Sequence, residues 1–432
     1  MPSLAEVLWV FFGQAATALG TVVGVRTLTQ LLPPATYGAV SLALGMSVLA
    51  ISLVATPLTQ AAIHFYPAVV AEGSVHDLLA SVRRCYRAML PWVVIAAVGA
   101  GAAYFALGHH SPVLVVLLAL LLAADCWRAA NISLLNAARR QGRIALWTTA
   151  DAWSRPLAGS AAVLLVGPST LWVLAAYVLT SAVLLLTFSW RLWPRAAPAA
   201  RHSSTLSPAL LDARMWSYAV PLIPLGIIGW ASSLGDRYVI GGLLSVHDAG
   251  LYAAVYGLAS SPFIILGGCV ELALRPIYQT AVSGGERRRA GAILGMWLLL
   301  VAGASALGVV GFALFHRELA AIFVGASYRG ASALMPWIGA GYAIKASSGV
   351  LERVCYAYGR TQRVLLIQLC SVAAALVCTP AGVLMLGLQG AAFAVPVCFC
   401  TQLVAASVLA RRTIWESGPE RVPAHAIATR PS

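Results

Sequence analysis

The sequence predicts an all-α polytopic membrane protein of about twelve transmembrane helices, arranged as two six-helix bundles. Three observations predict it. Of 432 residues, 60% are hydrophobic and only 10% are charged, against roughly 25% charged in an average soluble chain. Apolar runs recur along the whole length, each close to the roughly 20 residues that a helix needs to cross about 30 Å of hydrocarbon. A polar segment near the middle separates two stretches that align with each other, as an internal duplication would.

The spans follow in order. The N-terminal run MPSLAEVLWVFFGQAATALGTVVG lacks a basic leader and is too long for a cleaved signal. It therefore reads as a retained first span, 5–31. Pro33-Pro34 interrupts it, because proline has no N–H to donate and cannot continue a helix interior, and the second span covers 37–66. Arg83, Arg84 and Arg87 precede and open the third, 86–108; GHHSP separates it from the fourth, 112–138. Arg139, Arg140 and Arg143 lie before the fifth, 144–166, and GPS before the sixth, 170–190. Beyond a Pro-, Ala- and Ser-rich segment the remaining six cover 216–244, 249–280, 291–315, 331–357, 364–386 and 389–410. The chain thus divides into a first bundle (1–190), a linker (191–215) with a composition typical of connections, a second bundle (216–410) and a tail (411–432).

A net charge of +14 could suggest a nucleic-acid partner, so the position of the charge matters. Most of the 28 Lys and Arg lie in the connections after even-numbered spans and in the tail. The opposite connections hold only Arg317 and Arg329. By the positive-inside bias, both termini face the cytoplasm. Topology accounts for the charge, and no nucleic-acid partner is expected. The eight cysteines fall in apolar runs or at span ends and give neither a disulfide framework nor a metal spacing. No metal or cofactor is expected. Asn131-Ile132-Ser133 has the form of a glycosylation sequon but lies inside a span. Trp9, Tyr37, Trp172, Trp193 and Tyr328 fall near span ends, where interfacial aromatics collect.

The duplication has a register. LLPPATYGAVSLALG from Leu31 aligns without gaps on LLSVHDAGLYAAVYG from Leu243, which places Gly38 on Gly250 at an offset of 212. The same offset carries Tyr66 to Tyr278. Two homologous halves in parallel orientation are a known transporter plan.

Several motifs then carry a resemblance. The segment DRYVIGGLLSVHDAGLYAAVYGLA, followed by Pro276 and Tyr278, closely resembles the polysaccharide transporter family of lipid-linked oligosaccharide flippases. That family belongs to the multidrug/oligosaccharidyl-lipid/polysaccharide exporter superfamily. RTLTQLLPPATYGAV, YRGASALMPWIGAGY, YAYGRTQR and GLQGAAFAVPV agree with it, so the likeness covers essentially the whole chain. The resemblance implies two bundles flanking a central cavity that opens alternately to each side of a bacterial inner membrane. It implies an undecaprenyl-pyrophosphate-linked glycan as cargo; membrane lipids are the chain's other partners, and its internal acids either couple H+ or Na+ or are all structural. The chain departs from the family pattern in having arginine where lysine is common.

Independently of any family, charges inside spans are informative because each costs about 2.5–3.5 kcal/mol at the bilayer centre. The basic candidates for a cavity are Lys345, Arg155, Arg128, Arg275, Arg237 and Arg26. The acidic candidates for ion coupling are Asp125, Asp151, Asp236, Glu271 and Glu352. At 1.5 Å of rise per residue, Arg155, Arg128, Arg275 and Lys345 fall near mid-membrane, whereas Arg26 and Arg237 fall in the outer third. Asp125/Arg128, Asp151/Arg155 and Glu271/Arg275 have spacings of three or four, which put each pair on one helix face. They read either as structural pairs or as ligand contacts. Lys345 differs: its nearest acid within the span, Glu352, is seven residues away, about 10 Å along the axis. It needs a partner from another helix, a water-filled cavity or an anionic ligand, and Arg155 is its expected companion at a ligand.

Asp236 and Arg237 are adjacent, and neighbours do not face each other on a helix. Each must find its own partner; Arg237 is expected to face the outer cavity, with Arg26 its approximate counterpart in the first half. Prolines inside spans, such as Pro57, Pro156 and Pro276, are tolerated in membrane helices and are also candidate hinges. Enzymatic activity is not expected, because outer connections are short and no nucleophile or paired-carboxylate motif stands out. The alternative is a MATE-type antiporter of organic cations. Cations favour an acidic or aromatic cavity, whereas the intramembrane charge here leans positive.

Overall fold

A computed structural model describes residues 4–71, 75–106, 112–189 and 208–416, and among them every element is helical. α1 (Leu4–Leu31) stops before Pro33-Pro34. α2 (Pro34–Ala50) continues through a π-helical turn (Ile51–Ala55) into α3 (Thr56–Ala71), so the predicted second span is one rod with a bulge. α4 (Val75–Ala106), α5 (Pro112–Ala137), α6 (Gln141–Val166) and α7 (Thr170–Ser189) follow. α8 (Pro208–Ala219) joins α9 (Ile223–Leu243) through a 3-10 turn at Val220–Leu222. Pro221 lies in that turn, where its missing N–H breaks the regular ladder. α10 (Val246–Ser283), α11 (Arg287–Phe323), a 3-10 segment (Ala326–Leu334), α12 (Met335–Ala357) and α13 (Thr361–Glu416) complete the chain.

Eight of the described helical rods are long and apolar enough to cross a membrane. The predicted third, fifth and tenth spans lie on α4, α6 and α12, which are not among these eight. The protein is a multi-pass membrane protein with the expected all-helical fold.

The 56-residue α13 carries both of the last two predicted spans. At Gly387 its backbone takes φ 61° and ψ −137°, a region open to glycine and costly to other residues. The chain reverses there. Gly382 and Gly390 meet backbone to backbone across the bend, and Arg363 near one end donates to Thr413 Oγ1 near the other at 2.8 Å.

The described chain forms two compact units. The first comprises Met1–Gly235 with Val246–Gly250 and Phe323–Ser327; the second comprises Asp236–Ser245, Leu251–Ile322 and Tyr328–Ser432. Most of the predicted linker lies outside the described residues. In the first unit α1 packs on α6 through Gly13, Gly20 and Gly24, which approach Ala145, Trp153 and Pro156. Small residues permit this closeness, and dispersion, not the hydrophobic effect, holds such helices together in lipid. Trp153 also donates to the Ala16 carbonyl at 2.9 Å. The core of this unit gathers Leu121, Leu122, Cys126, Val173 and Leu174. That of the second gathers Trp297, Val301, Val350 and Val354. All eight cysteines are free.

Candidate functional site

Both units hold ionisable side chains inside their helices. In the first, the spacings on α5 and α6 do place Asp125 beside Arg128 at 3.5 Å and Asp151 beside Arg155 at 2.9 Å. Packing of α5 on α6 then joins the pairs. Arg128 reaches Asp151 at 3.5 Å, and Arg155 clamps both oxygens of Asp125. Arg155 also donates to Ser181 Oγ at 2.9 Å, and Ser181 in turn donates to the Tyr177 carbonyl of its own helix at 2.7 Å. Asp125 is 2% exposed and Arg155 8%. Two cations and two anions cancel, which a buried network requires.

In the second unit the Asp236-Arg237 pair resolves into two separate partnerships. Asp236 accepts from the Tyr252 hydroxyl at 2.7 Å and from the backbone N–H of Arg237 at 2.8 Å. The Arg237 guanidinium lies over the Tyr256 ring, 5.3 Å from its centroid. Tyr252 and Tyr256 are four residues apart on α10, on one face. Tyr256 hydrogen-bonds Tyr342 of α12 at 2.9 Å. A chain of phenols therefore leads from the end of α9 to the helix that carries Lys345.

Lys345 lines a cavity of about 290 Å³ bounded by α10, α11 and α12. Its Nζ sits 5.1 Å from the Tyr342 ring centroid and 4.8 Å from that of Phe399. No carboxylate lies within 4 Å of it among the described residues. Gly267, Gly268 and Gly349 keep the walls thin, and Glu271 and Arg353 add charge. Glu271 holds Arg353 at 3.0 Å and Arg275 at 3.2 Å. One turn further along α12 from Gly349, Glu352 is buried and accepts from the amides of Gln368 and Gln402.

The structure thus gathers Lys345 and Glu271 on one cavity, with Arg275 attached through Glu271 and with Asp236, Arg237 and Glu352 nearby in the same unit. It places Arg155, the expected companion of Lys345, in the first unit between two carboxylates, together with Arg128, Asp125 and Asp151. Arg26 donates to the backbone carbonyl of Val324, just past α11. Sequence reasoning missed Tyr252, Tyr256, Tyr342, Phe399, Gln368 and Gln402. The spacing of the first two and the presence of glutamine inside apolar runs were the available signals. No cluster of His, Cys, Asp or Glu that could hold a metal occurs among the described residues.

Residues 3–280 match the profile of the family described as "Polysaccharide biosynthesis protein". Among solved structures, the chain is similar to an inward-facing multidrug-resistance transporter of the MATE family within the MOP superfamily, with TM-score 0.66 and 14% identity over 96% of each chain. It is similar to the lipid II flippase MurJ in an inward closed conformation, with TM-score 0.69 and 11% identity over 95% of this chain and 88% of the other. A mutant of the Vibrio cholerae MATE transporter VcmN gives TM-score 0.58 and 13% identity over 96% and 97%. These likenesses fix the fold. A comparison with curated protein sequences finds no match.

Proposed function

The chain belongs to the polysaccharide biosynthesis protein family, and from that premise we propose that it is a flippase of the MOP superfamily for an anionic lipid-linked glycan. In this reading it carries an undecaprenyl-pyrophosphate-linked oligosaccharide, or a related cell-surface polysaccharide precursor, from the cytoplasmic to the outer leaflet of the bacterial inner membrane by alternating access. Both termini are cytoplasmic, and the chain performs no bond chemistry.

One observation carries the reading: the setting of Lys345. Aromatic faces stabilise a cation through their quadrupole without using its N–H donors, and an ammonium has three. Lys345 therefore stands in a cavity wall with its positive charge tolerated and its donors uncommitted to any carboxylate among the described residues. A pyrophosphate supplies the charged oxygens that such donors bind at short distance. Arg353, held by Glu271 through one nitrogen, has further donors in its planar fork. A cationic drug would meet Lys345 and Arg353 head-on.

The test compares protein level with transport. Lys345→Ala should reach wild-type levels in the membrane with a similar melting temperature, yet fail to restore surface glycan to a deletion strain. Lys345→Arg should restore part of it. Normal export by Lys345→Ala would remove Lys345 from the site. Deletion itself should accumulate the lipid-linked intermediate on the inner leaflet without sensitising cells to cationic dyes; dye sensitivity with normal surface glycan would favour drug antiport.

A further inference from the structure

Five acids were expected inside the spans, and four of them have charged or phenolic partners. Asp125, Asp151 and Glu271 are ion-paired to arginines, and Asp236 takes the Tyr252 hydroxyl. Glu352 stands apart. It is 6% exposed, and no cation approaches within 4 Å of it among the described residues. Its oxygens meet neutral amides instead: Gln368 Nε2 lies 3.1 Å from each, and Gln402 Nε2 lies 2.7 Å from one. An isolated buried carboxylate is costly, so a site lacking a counter-ion favours carrying a proton at least part of the time.

A second observation points the same way. Gln402 is 2% exposed, and its Oε1 has no hydrogen-bond donor. A buried orphan acceptor calls for an explanation. A protonated Glu352 supplies one: the carboxylic acid has an O–H to donate, and rotation of the Gln402 amide about its terminal torsion, which is soft, turns Oε1 toward it. The amides can thus serve the carboxylate as donors and the acid as acceptor. A hard cation would call for a shell of oxygens, whereas both glutamines here turn nitrogen toward Glu352.

The charged and titratable groups around Glu352 are few. On its own helix they are Lys345, two turns earlier, Arg353 and the Cys355 thiol. α13 presents the neutral amides of Gln368 and Gln402 to it, and its Arg363 lies nearer the Cys355 end of the helix, where it acts on that thiol. From α10, Glu271 engages Arg353 and Arg275, and α11 brings the apolar wall around Trp297.

We propose that Glu352 is a proton-binding site whose charge is linked to occupancy of the anion site at Lys345; the linkage rests on the flippase reading above. The step is a simple protonation, in which a proton from water adds to a carboxylate oxygen and the charge goes from −1 to 0. With Glu352 neutral, Lys345 and Arg353 face an anion without an opposing charge on their own helix. Anion loading and proton loading then favour each other, and the linkage is reciprocal.

The test is infrared difference spectroscopy on the full chain in phosphatidylcholine vesicles, acid minus alkaline, in sodium-free buffer. The wild type should show a protonated-carboxyl band that grows on acidification. Glu352→Gln should lose it, Glu352→Asp should displace it in frequency, and Lys345→Ala should shift the pH at which it appears. A band unchanged in Glu352→Gln would overturn the site, as would a band insensitive to pH but removed by sodium. A band unmoved in Lys345→Ala, or full restoration of surface glycan by Glu352→Gln, would overturn the linkage. Because the band reads Glu352 whatever the cargo is, it can persist while the Lys345→Ala export test fails, and the two failures are told apart.

Discussion

Arg155 divides its guanidinium among Asp125, Asp151 and Ser181, whereas Lys345 rests on two aromatic rings. In the sequence both are cations near mid-span, but only Arg155 has an acid one turn away on its own helix. Spacing revealed the partners that lie on the same helix: Asp125/Arg128, Asp151/Arg155 and Glu271/Arg275 all form the pairs their intervals suggest. It could not reveal Arg155 with Asp125, because that contact depends on how α5 and α6 pack. The same holds for Phe399 of α13, which reaches Lys345 from more than fifty positions later in the chain. Stability should separate the two cations. Truncating Arg155 leaves Asp125 buried without its bidentate partner, and breaking a buried pair typically costs about 3–5 kcal/mol. Arg155→Ala should therefore lower the melting temperature and the amount of protein in the membrane. Adding Asp125→Asn should recover part of the loss, while Lys345→Ala leaves both quantities near wild type. Recovery of nothing by the double variant would mean that Arg155 matters through packing and not through charge.

Element boundaries were legible wherever chemistry breaks a helix. Pro33-Pro34 ends α1, and the glycine in GLQ divides the last two spans, although the backbone there bends without losing its helical ladder on either side. The π-helical turn at Ile51–Ala55 had no signal, since ISLVA contains neither proline nor glycine. The register of the duplication has a structural counterpart. Gly38 meets the Val246 carbonyl and the backbone of Gly250, while Gly250 meets the Pro34 carbonyl and the backbone of Gly38. Pro34 and Val246 are separated by the same 212 positions as the two glycines, so the contact, which lies within the first unit, is reciprocal. A Cβ at either position would collide with backbone, which cannot rotate aside as a side chain can. Gly250→Val should therefore reduce accumulation in the membrane more than Gly257→Val, since a Cβ at Gly257 enters open space. Gly387→Ala should cost about 1–3 kcal/mol through its backbone conformation alone, read as a lower melting temperature. Equal behaviour of the two valine variants would mean that the α2–α10 crossing yields without penalty.

At the scale of the whole molecule, sidedness is an expectation from charge counting, and it assigns the partners of several contacts within each unit to the same side. Arg84, from the basic connection before the third span, pairs with Asp212 of the predicted linker at 2.8 Å. Arg363, which follows the tenth span, donates to Thr413 at the start of the tail at 2.8 Å. Both contacts join segments assigned to the cytoplasmic side. On the other side, Pro34 and Gly38 touch Val246 and Gly250, and Gly325 donates its N–H to Thr29 Oγ1 at 2.9 Å. Those contacts join segments assigned outside. A wrong orientation would invert every assignment together, whereas a miscounted span would invert only those beyond it. Reporter fusions distinguish the two errors. Fusions at Arg140 and Arg289 should behave as cytoplasmic, and fusions at Val246 and Arg317 as external. A fusion at Ser203, which lies outside the described residues, should report the cytoplasm if six spans precede it. An external Ser203 with a cytoplasmic Arg140 would mean an odd number of crossings between them and would sink the six-plus-six division. Inversion at all five positions would keep the division and reverse the orientation. Cytoplasmic Arg289 with external Arg317 would require α11 to cross fully, despite the non-helical backbone of Phe315 near its outer end, as a kink leaves a span intact when the rod on either side remains helical.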